Sequence, residues 1–279
     1  MTSKRNEHGS GGVPVDRYTH GHHEAVLSSH RARTAENSAG YLLDRLKTGD
    51  RVLDIGCGPG TITADFAQLV TPGQVVALDR EPSIVAEAVR LAESRSIRNL
   101  TAVVGDVYDL DFDDARFDIV HAHQVLQHLS DPVAALGEMA RVTRPDGIVA
   151  VRDADYQAMT WFPYDPRLDR WMEMYQAVAR SNQAEPNAGR ELLSWCSQVG
   201  FTQVIPSASV WCFADPETRQ WWGGLWAQRV LSSPLAHQAL EGGMASQADL
   251  DDFADAFNEW SASPHGWFSV LHGEILAIR

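Results

Sequence analysis

Six residues carry most of the chemistry that this sequence offers. Asp54 ends a short apolar run, "RVLDI", and Gly56, Gly58 and Gly60 follow at every second position. Asp79 ends a second run, "QVVALD", and Asp106 follows a third in "LTAVVGD". Glycines at a strand-to-helix turn let a ligand approach the backbone, which side chains would keep away. The helix that follows adds free N–H groups. A carboxylate at Asp79 suits the two hydroxyls of a ribose, and one at Asp106 suits the exocyclic amine of a base. The three strand ends therefore describe an adenosine pocket. A dinucleotide asks for G-x-G-x-x-G, with its pyrophosphate on the helix terminus. This chain has G-x-G-x-G with Asp54 just before it. An aspartate repels a pyrophosphate but suits a sulfonium and an α-ammonium group, so the pattern favours S-adenosylmethionine over NAD.

With that cofactor the transfer is an in-line displacement. Alignment supplies much of the rate, and no protein nucleophile or metal is needed. A phenol, alcohol or carbon acceptor needs a base. A thiol, with a pKa of ~8.5, needs less help. Candidate bases are His121, His123, His128, Asp153 and Asp155. Strand alternation puts His121 and His123 on one face; His123 lies nearest the strand's carboxyl end and is the preferred candidate. Asp153 ends the fifth apolar run and is expected to face the acceptor side of the cleft; His128 is read as structural. The histidines at 20, 22, 23 and 30 have no cysteine or acidic partners at a familiar ligand spacing, so no metal site is expected. All nine tryptophans lie after residue 160. They can form a lid core or an aromatic wall for a flat or apolar acceptor. Trp161, Trp222 and Trp226 are the expected substrate contacts.

These residues need elements to hold them. Apolar spacing predicts a helix over 22–46. From 51 to about 153, five strands ("RVLDI", "QVVALD", "LTAVVGD", "FDIVHAH", "GIVAVRD") alternate with helices ("TITADFAQLV", "EPSIVAEAVRLAES", "DPVAALGEMARVT"). Such alternation means parallel strands with right-handed crossovers. The fold class is α/β, a Rossmann-like doubly wound sheet that binds ligands at the carboxyl ends of its strands. Later helical blocks ("DPRLDRWMEMYQAVARSN", "NAGRELLSWCSQVG", and 216–262) read as insertions covering one end of the sheet. "FTQVIPSASVWCF" reads as a strand region broken by Pro206. "WFSVLHGEILAIR" reads as a final strand, antiparallel to the rest. The expected division is a disordered tail over 1–17, a helical cap over 18–48, a cofactor-binding core over 49–155, and an acceptor-binding lid with the last strands over 156–279.

The motifs taken together resemble the class I S-adenosylmethionine-dependent methyltransferases, of the type related to quinone-biosynthesis enzymes. "VLDIGCGPG", "ALD", "VVGDVYDL" and "FDIVHAHQVLQHLSDPVAALGEMARVTRPDGIVAV" carry the resemblance in order. It implies Asp54, Gly56 and Gly58 against the methionine part, Asp79 at the ribose, Asp106 and Val107 at the adenine, and Arg80 among the cofactor-binding residues. It also implies His123 and Gln124 beside the cofactor. "YTHGHHEAVLSSHRARTAENSAGYL" is similar to a subgroup whose amino-terminal helix closes over the cofactor, which adds Tyr18, His22 and Arg33, the last facing the cofactor carboxylate. The lidded carboxyl half looks, more loosely, like thiol S-methyltransferases of dithiol natural products of the gliotoxin type.

Composition bounds the rest. The chain has 279 residues and 44% hydrophobic content, enough for a sizeable core. Its net charge of -14 disfavours nucleic acid as a partner. No apolar run approaches a membrane span, and the first residues lack the apolar core of a signal peptide. Three cysteines without a C-x-x-C pair fit a reducing cytoplasm. The expected protein is a cytoplasmic enzyme, monomer or homodimer, methylating a small molecule. The best reading of the acceptor is a dithiol, ahead of C- or O-methylation of a quinone-like or secondary-metabolite acceptor. The alternatives from other classes are a cofactor-binding protein without turnover and an NAD-dependent oxidoreductase.

Overall fold

The structure is a computed structural model that describes residues 29–279. Tyr18 and His22, the 1–17 tail and the start of the expected amino-terminal helix lie outside the described residues. From Ser29 onward that helix is not continuous. Helical backbone at 29–31 gives way at Arg33 and Thr34, and α1 (Ala35–Leu43) begins there. Thr34 and Asn37 cap each other reciprocally: the Thr34 hydroxyl takes the Asn37 N–H, and the Asn37 side chain takes the Thr34 N–H. The extended backbone of Thr34 redirects the chain across the carboxyl ends of the strands.

Strands β1 (Val52–Ile55), β2 (Val75–Asp79), β3 (Leu100–Val104) and β4 (Phe117–His123) alternate with α2 (Thr61–Val70), α3 (Pro82–Ser94) and, after β4, α4 (Pro132–Val142). Then come β5 (Thr143–Phe162), α5 (Pro166–Ser181), α6 (Ala188–Val199), β6 (Gln203–Phe213), α7 (Pro216–Ser232), α8 (Pro234–Glu241), α9 (Gln247–Ala262) and β7 (Trp267–Ile278). The seven strands form one sheet in the order β3-β2-β1-β4-β5-β7-β6, with only β7 antiparallel to its neighbours. β1 is buried along its whole length, as a central strand covered on both faces must be. Asp131, Asp165 and Asp215 each precede a proline at the start of α4, α5 and α7. Each carboxylate accepts an N–H of the first turn, at 2.8–2.9 Å.

Three further elements depart from the sequence expectation. β5 is 20 residues long, not the seven of "GIVAVRD". It pairs with β4 as far as Arg152 and continues on β7 to Phe162, after an irregularity between Asp155 and Thr160. This extended β5–β7 ribbon carries the lid. Pro206 does not break β6: it pairs across from Ile275 on the last strand of the sheet, whose outer side needs no donor. α6 is not a lid helix, because its Leu192 and Cys196 pack with α4 into the apolar layer beneath the sheet.

The lid has its own core. Trp171 sits at its centre, edge-on to Trp226 at 4.6 Å and to Phe257 at 4.9 Å between ring centroids, with Leu168, Leu235 and Phe253 around it. α5, α7, α8 and α9 bury their apolar faces there and against Phe268 of β7. No helix among the described residues is long and apolar enough to cross a membrane.

Candidate active site

The carboxyl ends of β1–β4, the chain from Ser29 to Asn37, β6 and α7 enclose a cavity of about 830 Å³. Arg33, Asp54, Gly56, Gly58, Asp79, Arg80, Asp106, Val107, His123, Gln124 and Trp222 all line it. These eleven residues come from four elements (β1, β2, β4 and α7) and from loops, and the tertiary structure brings them to one place.

The glycine turn is built as much by packing as by access. Gly56 has φ +64°, and a Cβ there would stand 2.4 Å from Val125 Cγ2. Gly58, at φ +57°, has only His30 Nδ1 near its Cβ position, at 3.8 Å, so this glycine opens toward the cavity. Asp54 is buried and tied at both oxygens. Oδ1 takes the His121 Nδ1 proton at 2.7 Å, and Oδ2 takes the Thr63 hydroxyl. The Asp79 carboxylate accepts the Gly58 and Glu81 N–H groups, each at 3.1 Å, which fixes it at the lip of the turn. Asp106 accepts the Tyr108 N–H at 3.0 Å and is exposed beside the buried Val107.

Across the cavity, Arg33 Nη2 donates to Gln124 Oε1 at 2.5 Å. The Gln124 amide in turn donates to His272 Nε2 at 2.8 Å, and His272 Nδ1 donates to the Val270 carbonyl at 3.1 Å. This chain fixes the His272 tautomer. Gln124 adopts φ +54°, a left-handed conformation uncommon outside glycine, which turns its amide into this relay. Trp211 Nε1 donates to the Asn37 carbonyl at 2.8 Å and pins α1 over the sheet edge.

The candidate bases are disposed differently from expectation. His123 lines the cavity, but its Nδ1 already accepts from Arg152 Nη1 at 3.4 Å, so Nε2 carries the proton. Burial, then Arg33 and Arg152, hold its pKa well below the usual range. Arg152 in turn forms a buried ion pair with Glu274 at 3.1 Å, bridged by the Ser209 hydroxyl. His128 is held neutral by burial, its pKa lowered to about 3. Asp153 is not on the cavity wall: it is wholly buried, and its Oδ1 caps the Gln127 N–H at 3.1 Å. Burial raises its pKa to about 7. Asp155 is clamped by Arg190 at 2.6 and 2.7 Å, and His121 is buried against Asp54 and Phe66.

Of the three expected substrate tryptophans, only Trp222 lines the cavity. Trp226 is completely buried one turn further along α7, and Trp161 stacks on Phe268 at 5.7 Å within the lid. The aromatic wall is instead made by Trp211 and Phe213 of β6, Trp221 and Trp222 of α7, and Tyr156 of the extended β5. Trp211 and Phe213 stand two apart on a strand, a spacing visible in the sequence; Tyr156 could not be placed without the length of β5. Arg229, which had no distinguishing sequence signal, and His30, which the sequence reading weighed only as a metal ligand, also line the cavity.

A seven-stranded sheet of this order, with an acid-bearing glycine turn at the end of its first strand, defines the class I S-adenosylmethionine-dependent methyltransferase architecture. A family model described as a methyltransferase domain matches residues 46–212. An uncharacterized methyltransferase of Schizosaccharomyces pombe is 37% identical over 94% of this chain and 97% of its own. The chain belongs to the methyltransferase-domain family, and it is an S-adenosylmethionine-dependent methyltransferase of small-molecule substrates. A demethylmenaquinone methyltransferase of Beutenbergia cavernae is 31% identical over 58% of this chain and 66% of its own. Among solved structures, the YcgJ protein of Bacillus subtilis superposes with a TM-score of 0.57 at 22% identity, covering 88% of this chain and 98% of that one; the likeness is one of fold.

Proposed function

We propose that the acceptor is an apolar small molecule with an acidic nucleophile, best fitted by a thiol of a dithiol natural product. The supporting observation is that, among the described residues, the two candidate bases that line the cavity, His123 and His128, are both made weak bases by burial. His123 and His128 are held neutral, and Asp153 lies behind the wall. A thiol with a pKa of ~8.5 already supplies a few per cent of thiolate at neutral pH. The walls of Trp211, Phe213 and Trp222 suit an apolar body.

The residues present fit the cofactor. Gly58 leaves room against the backbone, and the anionic Asp54 lies behind the turn. In this reading Asp54, Gly56 and Gly58 hold the methionine part, Asp79 and Arg80 the ribose, and Asp106 and Val107 the adenine. Arg33, steadied by Gln124, faces the cofactor carboxylate, and His123 borders the site. Tyr18 and His22 are proposed as further contributors. When bound, the cofactor supplies a methyl group on a positive sulfur. The chain orients the two partners and excludes water, with the Ser29–Asn37 segment and the lid as its covers.

A C- or O-methyltransferase of a quinone-like acceptor is the second reading, favoured by the demethylmenaquinone methyltransferase among the relatives. The test is transfer of labelled methyl from S-adenosylmethionine into a panel of thiols, phenols, amines and quinols, with products located by mass spectrometry. Label on dithiol sulfur supports the first reading. Label on a ring carbon, oxygen or nitrogen sinks it. Cofactor bound without any product points to a binding protein.

A further inference from the structure

A histidine behind the cavity wall sets the orientation of a group on it. Val270, His272 and Glu274 alternate along β7 and share one face. Val270 lines the cavity, and Glu274 holds Arg152 in the buried ion pair. His272 stands between them, fully buried and not on the cavity wall. Its ring packs against Trp211, with 4.4 Å between centroids. Burial, then Arg152 and Arg33, hold its pKa well below the usual range, so the ring is neutral. A neutral imidazole has one donor and one acceptor nitrogen.

Which nitrogen donates is decided by the backbone. The Val270 carbonyl can only accept, so Nδ1, 3.1 Å from it, carries the proton. Nε2 is then an acceptor, and it takes an N–H of the Gln124 amide at 2.8 Å. A glutamine amide has two orientations of nearly equal shape. Only one of them suits His272, and it leaves Oε1 toward Arg33, 2.5 Å from Nη2. The reversed amide would set its oxygen against the Nε2 lone pair and its N–H groups against the guanidinium. The Gln124 backbone is itself fixed, with its N–H on the Arg152 carbonyl at 2.7 Å and φ at +54°. The order of control therefore runs from a β7 carbonyl through His272 to the Gln124 amide, and from there to Arg33.

We propose that His272 is a positioning residue for the cofactor: by fixing the Gln124 amide, it places Arg33 on the wall that meets the amino-acid end of S-adenosylmethionine. This rests on the reading above in taking the wall of Arg33 and Gln124 to face that end. It uses the orientation of the amide and does not need the Arg33 charge to be unshared. The alternative is a buried histidine that serves only to pack against Trp211.

The test is isothermal titration of the full chain with S-adenosylhomocysteine and with 5′-methylthioadenosine, which lacks the amino-acid end. The wild type is expected to bind S-adenosylhomocysteine at least about tenfold more tightly. His272→Leu removes the acceptor; it should weaken S-adenosylhomocysteine about tenfold and leave 5′-methylthioadenosine within about twofold. His272→Phe, which keeps a ring against Trp211, should do the same, and it carries the test if His272→Leu does not fold. His272→Gln, which can offer an oxygen to the amide, should stay within about threefold of wild type for both ligands. Gln124→Leu should weaken S-adenosylhomocysteine about as much as His272→Leu, and the double variant no further, because both act through one amide. Loss of S-adenosylhomocysteine affinity in Gln124→Leu but in neither His272→Leu nor His272→Phe overturns the proposal alone. Equal weakening of both ligands in His272→Phe, or additive losses in the double variant, overturns it in favour of packing. Equal wild-type affinities for the two ligands, or S-adenosylhomocysteine affinity unchanged in both Gln124→Leu and Arg33→Met, removes the reading of the wall and the proposal with it.

Discussion

Asp153→Asn should make the protein less sensitive to alkali, and the effect can be worked from the burial of one carboxyl. Asp153 is wholly inside, with Oδ1 on the Gln127 N–H and Oδ2 without a hydrogen-bond partner among the described residues. Desolvation raises its pKa from 3.8 to about 7. The folded state therefore holds this proton where the unfolded chain has lost it. Stability from this group is full below the unfolded pKa, falls as pH rises, and is lost once pH passes the folded pKa. Between pH 5 and 8 the loss is about 2.6 kcal/mol, at 1.36 kcal/mol per pH unit and with saturation near 7. Asparagine keeps an oxygen for the Gln127 N–H and does not titrate. Urea unfolding of both proteins at pH 5, 6, 7 and 8 isolates the term, since all other groups cancel in the difference. The stability of Asp153→Asn relative to wild type should rise by roughly 2–3 kcal/mol across that range. A difference that stays constant with pH would show that Asp153 is ionised throughout and would return it to the list of candidate bases.

The two cavity glycines should separate stability from binding. Gly56→Ala, with its Cβ against Val125 and φ at +64°, should cost roughly 2–3 kcal/mol in chemical unfolding. Gly58→Ala should cost only about 1 kcal/mol but weaken S-adenosylmethionine at least tenfold by calorimetry. Arg152→Met should destabilise by about 3–5 kcal/mol because Glu274 is left buried and charged, and adding Glu274→Leu should recover most of that loss. Equal stabilities of the single and double variants would show the pair is not coupled. His123→Gln should lower kcat by no more than about fivefold on whichever acceptor the panel identifies, whereas a fall of roughly 10²–10⁴ would restore His123 as the base.

The sequence by itself determined the order of strands and helices through "GIVAV", the glycine turn, the three acids at successive strand ends and the antiparallel final strand. These are local signals. A period of two or of 3.6, a proline at the first helical position or a glycine after an apolar run reports backbone conformation within a few residues. Nine of the eleven chosen residues that line the cavity do so because a doubly wound sheet puts the carboxyl ends of its parallel strands together; Arg33 and Trp222 are brought there by the segment before α1 and by α7. What the tertiary structure alone decided was which buried group faces which neighbour. Trp222 and Trp226 are one helical turn apart, yet one lines the cavity and the other fills the lid core. His123 and Asp153 look like bases in sequence, but Arg152 occupies one and the other lies wholly in the interior, capping Gln127. The run of β5 to Phe162 depends on β7, more than a hundred residues away, offering hydrogen bonds where β4 has ended. Periodicity says that a side chain is buried; what it is buried against, and whether its charge survives there, depends on contacts distant in sequence.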